Sequence, residues 1–171
     1  MPIIKYQDVT PEIGDKCFVA DSADVIGKVE LGGNSSIWYN CVVRGDVNYI
    51  KIGKGTNIQD GTIIHVASEK LGDLPTVIGD NVTIGHMALI HACTIESEAF
   101  IGMKACILDG AVVQSKAYVG AGAVVTPGKV VKTGELWAGV PAKKIRDLTE
   151  EDYATMKWNT EHYVHLAHSY L

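Results

Sequence analysis

An aliphatic residue recurs at every sixth position from Ile13 to Val43 (Ile13, Val19, Val25, Leu31, Ile37, Val43). The count resumes at Ile52, Ile58 and Ile64, at Ile78, Ile84 and Ile90, and from Ile95 through Ile101, Ile107, Val113 and Val119 to Val125. A small residue or Val tends to follow four places later, as at Cys17, Ala23, Ser35, Cys41, Ala99, Ala105 and Ala111. A six-residue period held over more than a hundred residues fits neither an amphipathic helix nor isolated alternating strands. It predicts an all-β solenoid, a parallel β-helix of hexapeptide repeats, with 18 residues to each three-faced coil.

Three breaks interrupt the period. Between Val43 and Ile52 the core positions stand nine apart, so three extra residues push polar backbone outward. Residues 67–75 (Ala-Ser-Glu-Lys-Leu-Gly-Asp-Leu-Pro) carry Gly and Pro and predict a loop leaving the solenoid wall. The third break is subtractive, because the step from Ile90 to Ile95 is one residue short. Repeat proteins tend to hang function on departures from the repeat.

The period stops after Val125. Gly139-Val-Pro-Ala-Lys-Lys-Ile-Arg146 closes the stack of coils, and Thr149-Glu-Glu-Asp152 resembles a capping box with acidic residues in the first turn. Tyr153, Met156, Thr160, Tyr163, Val164, Ala167, Tyr170 and Leu171 then follow at helical spacing. The expected organisation is a β-helix over residues 1–147, its first dozen residues capping the open coil, and an amphipathic helix over residues 148–171 packed on it.

Composition narrows the function. With 18 glycines and a hydrophobic fraction of 47% with few aromatics, the chain suits a narrow solenoid whose corners tolerate positive φ. A net charge of −5 and two arginines, Arg44 and Arg146, exclude a nucleic-acid footprint. No apolar run is long enough for a membrane span, so no membrane partner is expected. The four cysteines lack metal-finger spacing and read as small buried residues of a reducing compartment, so a cytoplasmic location is expected.

Around the breaks stand three histidines. His65 and His91 each follow a core aliphatic and therefore point outward. They are 26 residues apart, and once the eight loop residues are set aside they lie one 18-residue coil apart on the same face. Two imidazoles at the strand spacing of roughly 4.8 Å can share a metal ion. His86 lies two places after Ile84, near a corner, and must come from a second copy of the chain if the ion is to gain it. The spacing thus predicts a cyclic homotrimer with sites between subunits.

Other residues surround this arrangement. Arg44 and Asp46 flank Gly45 and can pair within the chain or across an interface, and Arg44 can also hold an anion. Gln59 follows core Ile58 and is read as outward, able to hold a water or a substrate oxygen, with Asp60 orienting a donor. Glu69, in the loop, is a flexible carboxylate suited to proton relay. His162, His165 and His168 on the terminal helix fan too widely, with no acid among them, to suggest a second metal site.

Arg44-Gly-Asp-Val-Asn-Tyr-Ile, Asn57-Ile-Gln-Asp-Gly, Ile64-His65, Gly85-His86 and Leu89-Ile-His91-Ala-Cys-Thr-Ile together resemble the γ-class carbonic anhydrase family of hexapeptide-repeat proteins. The resemblance extends to Gly139-Val-Pro-Ala-Lys and the helix around Tyr163. It implies a left-handed β-helix trimer with Zn2+, or Fe2+ or Co2+, at each interface, bound by His65 and His91 of one subunit and His86 of the next. It also implies an Arg44–Asp46 pair, Gln59 positioning the attacking hydroxide, Tyr163 near the site, and hydration of CO2 to bicarbonate. The loop is shorter than that of the family's archetype, and Glu69 matches its proton-shuttling glutamate only in position. Two other functions fit the scaffold: an acyltransferase or metal-dependent acyl-CoA thioesterase, and a non-catalytic metal-stabilised trimer.

Overall fold

The computed structural model describes residues 3–171. It is a solenoid of short parallel strands followed by one α-helix among the described residues, Glu150–His168. Parallel pairing stacks equivalent positions of successive coils into three columns. One runs Val25, Val43, Ile64, Ile90, Ile107, Val125. The second runs from Ile13 through Leu31, Ile52 and Ile78 to Ile95, Val113 and Val131, and the third from Val19 through Ile37, Ile58 and Ile84 to Ile101, Val119 and Trp137. These aliphatics, with the small residues between them, are the core: Ile58, Ile64, Ile84, Ile90 and Ala105 are wholly buried. Stacking like on like is what a six-residue repeat permits, since each coil buries its hydrophobic face only against the next.

Asp24–Leu31 and Val42–Ile52 run round a corner without a break, so two faces join in a twelve-stranded sheet while the third is an eight-stranded one. The three extra residues after Val43 leave this corner as a bulge around Asp46, Val47 and Asn48, and Ile50 returns to the interior opposite Val29. Gly45 is required there, because a Cβ on it would meet the Lys28 carbonyl oxygen of the neighbouring coil at 2.5 Å. The loop after Val66 is pinned at its base by the Ala67 N–H on the Leu74 carbonyl at 2.9 Å and holds a 3-10 turn, Glu69–Leu71. Asn48 Nδ2 donates to the Ala67 carbonyl at 3.2 Å and to Asp73 Oδ1 at 3.0 Å, so the bulge and the loop hold each other.

Ile3–Ile4 pairs with Val25–Ile26 at one end of the stack, and at the other Glu135–Ala138 pairs antiparallel with Lys143–Asp147. The corners turn through left-handed backbone at glycines such as Gly55, Gly61, Gly110 and Gly122, and equally at other residues, among them Asn34, Asn81, Met87, Ala92 and Lys104. Composition suggested glycine as the corner residue. The difference arises because many of the glycines occupy non-left-handed positions, where close packing against the next coil leaves no room for a Cβ, as at Gly102.

The helix begins at a capping box, with Thr149 and Asp152 bonding each other's backbone N–H groups. It lies across the eight-stranded face, burying Met156, Thr160 and Ala167, while Trp158 stays exposed and stacks on His162 with ring centroids 5.0 Å apart. Tyr163 meets the edge of Trp38, and Tyr170 joins Phe18, Trp38 and Tyr39 in an aromatic cluster at the helix end. No helix of the described residues is long and apolar enough to cross a membrane.

Candidate metal centre

His65 ends the strand Ile63–His65 and His91 ends Leu89–His91, and the two are direct partners in the parallel register. Their rings lie 5.3 Å apart, and His65 Nδ1 faces His91 Nε2 at 3.4 Å. The remaining nitrogen of each ring meets a carboxylate: His65 Nε2 donates to Asp46 Oδ1 at 3.0 Å, and His91 Nδ1 to Asp109 Oδ1 at 2.6 Å. These partners set the tautomers. In the tautomers that place those protons on the carboxylates, the two facing nitrogens present lone pairs to one another, an arrangement suited to a cation between them. Two nitrogens bound at about 2.05 Å to a tetrahedral ion stand roughly 3.3 Å apart. The observed separation fits.

Asp46 is the hub of the bulge. It accepts from His65, from the Arg44 guanidinium and from the Val47 N–H at 2.9 Å. Burial pushes its carboxyl upward in pKa, but the hydrogen bonds from His65 and Arg44, with the Arg44 charge, outweigh it and hold the group below the ordinary carboxylate value. The Arg44–Asp46 pair, which sequence left open between one chain and two, therefore lies within the chain.

His86 stands apart from this pair, on the turn after Thr83–Ile84, and its Nδ1 donates to Asp60 Oδ2 at 2.8 Å. It thus repeats the carboxylate-backed arrangement and leaves Nε2 free. Among the described residues no three His, Cys, Asp or Glu side chains of one chain converge as a metal site. Asp109 was missed by sequence reading.

Gln59 points away from the solenoid axis next to Ile58 but is buried, only 4% exposed, where the outward reading left it open to solvent. The terminal helix over this face accounts for the difference. Its Nε2 donates to Asn57 Oδ1 at 3.1 Å. Tyr163 is half-buried nearby; burial, and secondly the negative charge of Asp60, push its phenol above the ordinary value. Glu69 is exposed in the 3-10 turn, with neither a hydrogen bond nor an ion pair to any of the histidines. The thiols of Cys41 and Cys93 are pushed up by burial to about 11 and about 12, and are poor nucleophiles.

No protein-family model matches the chain. Among curated proteins it is 51% identical over 162 residues to γ carbonic anhydrase 2, mitochondrial, of Arabidopsis thaliana, covering 94% of this chain and 58% of that protein. It is 44% identical to a carbonic anhydrase of Geobacillus kaustophilus, over 95% of this chain and 87% of that one. The chain belongs to the γ-class carbonic anhydrase family. It spans 58–64% of the length of three Arabidopsis members. Among solved structures, a hexapeptide transferase family protein of Anaplasma phagocytophilum superposes with a TM-score of 0.93 at 44% identity, covering 99% of this chain and 98% of that one. Membership implies a metal cofactor, and the donors here suit one: three imidazoles, each with one ring nitrogen on a carboxylate and the other left over.

Proposed function

We propose that the protein is a metal-dependent carbonic anhydrase that hydrates CO2 reversibly to bicarbonate at sites shared between the subunits of a homotrimer. The observation that carries this reading is the pair of facing imidazole nitrogens, His65 Nδ1 and His91 Nε2, 3.4 Å apart, together with a third carboxylate-backed imidazole, His86, standing apart in the same chain. His65 and His91 of one subunit and His86 of the next hold the ion. Zn2+ is the ion proposed, with Fe2+ and Co2+ compatible with the same nitrogens. When bound, it supplies a Lewis acid that brings the pKa of water toward about 7.

The chain's own residues do the rest. Asp46, Asp60 and Asp109 keep the three rings in the tautomers that leave a nitrogen free, and Arg44 holds Asp46 in place. Gln59 offers an amide beside the His86 corner to orient the oxygen nucleophile or the substrate. Tyr163 closes the helix side of that corner. Hydration releases one proton, and Glu69 is the exposed carboxylate assigned to carry it to solvent. The four free cysteines suit a reducing cytoplasm.

Acyl transfer is the second reading, favoured by the near-complete superposition on a hexapeptide transferase family protein. The raised cysteine thiols argue against a thiol-based thioesterase.

The test is metal content and CO2 hydration on one anaerobically purified sample, before chelation, after it, and after reloading with zinc, cobalt or ferrous iron. We expect about one ion per chain and hydration that vanishes with chelation and returns with one of the ions. Metal without hydration moves the assignment to acyl-CoA turnover or to a structural trimer.

A further inference from the structure

Between the terminal helix and the metal-site corner runs a buried line of polar side chains with a definite direction. Thr160, on the helix, has two carbonyls within reach, Met156 O at 3.1 Å and Asn81 O at 3.5 Å. Carbonyls only accept, so the Thr160 proton goes to one of them or to the Thr83 oxygen 3.1 Å away, where either hydroxyl can be the donor. Thr83 also lies 3.3 Å from Asn159 Oδ1, so in either arrangement an acceptor on the helix side is open to its own proton. The single Thr83 proton is therefore committed to the helix, and the Thr83 oxygen accepts from Asn57 Nδ2 at 2.9 Å. The Val82 carbonyl, which already accepts from the Asn57 N–H at 3.0 Å, lies 3.4 Å from the same nitrogen and can only accept. Asn57 must then turn Oδ1 toward Gln59, which answers with Nε2 at 3.1 Å.

Gln59 Oε1 ends the line without a hydrogen-bond partner among the described residues. Since no buried side-chain nitrogen or oxygen among the described residues is left unpaired, this oxygen is the reachable end of the amide. It belongs to a residue whose backbone N–H donates to the Ile84 carbonyl of the next coil at 2.9 Å, two residues before His86.

We infer that Thr83 is a positioning residue: its hydroxyl, held by Asn159 and Thr160 of the terminal helix, fixes which end of the Gln59 amide faces the His86 corner, so that the corner is offered a carbonyl acceptor and not an N–H donor. A side-chain amide is nearly symmetric in shape, and packing alone does not choose between its two orientations. A hydrogen-bond line with a fixed direction does. The acceptor orients a hydroxyl-bearing group, water or bicarbonate, by taking its proton in a hydrogen bond. The catalytic consequence rests on the carbonic anhydrase reading; the orientation itself does not.

The experiment follows the side-chain amide signals of Asn57 and Gln59 in 15N-labelled holoprotein, for the wild type, Thr83→Val, which keeps the shape and loses the hydroxyl, and Thr83→Ser, which keeps the hydroxyl. In the wild type each amide should give one set of signals with slowed hydrogen exchange. In Thr83→Val exchange should quicken at least tenfold and Gln59 should split into two sets, with Thr83→Ser restoring the wild-type pattern. On the kinetic side, kcat for CO2 hydration should fall about tenfold in Thr83→Val with KM and metal content unchanged, a split that general destabilisation does not produce. A single, protected Gln59 set in Thr83→Val overturns the inference. Should that variant not fold, Asn159→Leu with Thr160→Val removes both acceptors from the helix side and is read by the same signals. A wild type that hydrates no CO2 counts against the proposed function alone, and the amide signals still decide the orientation.

Discussion

Asp109 makes the shortest of the three carboxylate–imidazole bonds, 2.6 Å to His91 Nδ1. Replacing it by Asn removes the charge that favours a donor at Nδ1 and frees the His91 ring to turn. Metal affinity should drop ten- to a hundredfold, read by competition with a chelator, while the melting temperature barely moves because Asp109 sits at the surface. Unchanged affinity would mean that the ring is held by packing alone. The histidines were legible because each stands at a fixed offset from a core isoleucine, and the coil length then fixes which of them stack. Asp109 was not, although it lies 18 residues from His91, one coil along, and that offset was its only signal. Asp46 and Asp60 were noticed for their immediate neighbours, whereas their bonds to His65 and His86 join residues 19 and 26 apart in sequence across insertions that local reading does not bridge. Gln59 was read as outward from strand alternation, which is right for direction but silent about what lies on top.

The terminal helix lies on top of it, and one side chain, Asp152, anchors its start. Asp152 accepts from the Thr149 N–H at 2.7 Å and takes both Arg146 nitrogens, at 2.5 and 3.0 Å. The capping box was visible in the sequence; the arginine was not, because it belongs to the closing strand Lys143–Asp147 and the chain must turn before the two meet. Hydrogen bonds from Arg146, and then from the Thr149 backbone, hold the Asp152 carboxyl well below the usual carboxylate range. A folded-state value lowered in this way stabilises fully above the unfolded value of about 3.9 and is lost as pH falls through the folded value. Asp152→Ala should therefore cost about 1 kcal/mol at pH 7, as a lost cap does. That gap, measured by urea unfolding, should narrow as pH falls below about 4. A gap independent of pH would assign the cost to packing. Helical spacing also over-read the buried stripe: Met156, Thr160 and Ala167 are covered, but Tyr170 and Leu171 lie beyond the helix and are exposed. Periodicity reports a face without saying where the supporting surface ends.

At the scale of the whole molecule the solenoid explains why His65 and His91 of one chain meet while His86 does not join them. Side chains on one face stack along the axis, so His65 and His91 meet without help. A residue at the next corner is turned away, and no shift of one coil brings His86 round to them. Beside the histidines the same face carries an outward apolar column of Val42, Ile63, Leu89, Cys106 and Val124, in which Ile63 and Leu89 are exposed in the single chain. Such a column suits the close approach of a second copy. If each site takes His65 and His91 from one subunit and His86 from another, His86→Ala and His91→Ala each abolish every site in a trimer made of one variant. Unfolded together at equal amounts and refolded, the two variants assemble at random. A site is then whole only where a His86→Ala chain supplies the pair and a His91→Ala chain supplies the third nitrogen, a chance of about one half for each, so about a quarter of the sites should bind metal. Hydration activity should return in the same proportion. A site contained in one chain gives a different result, because mixing two defective chains then restores nothing, and the assignment of sites shared between subunits falls with it.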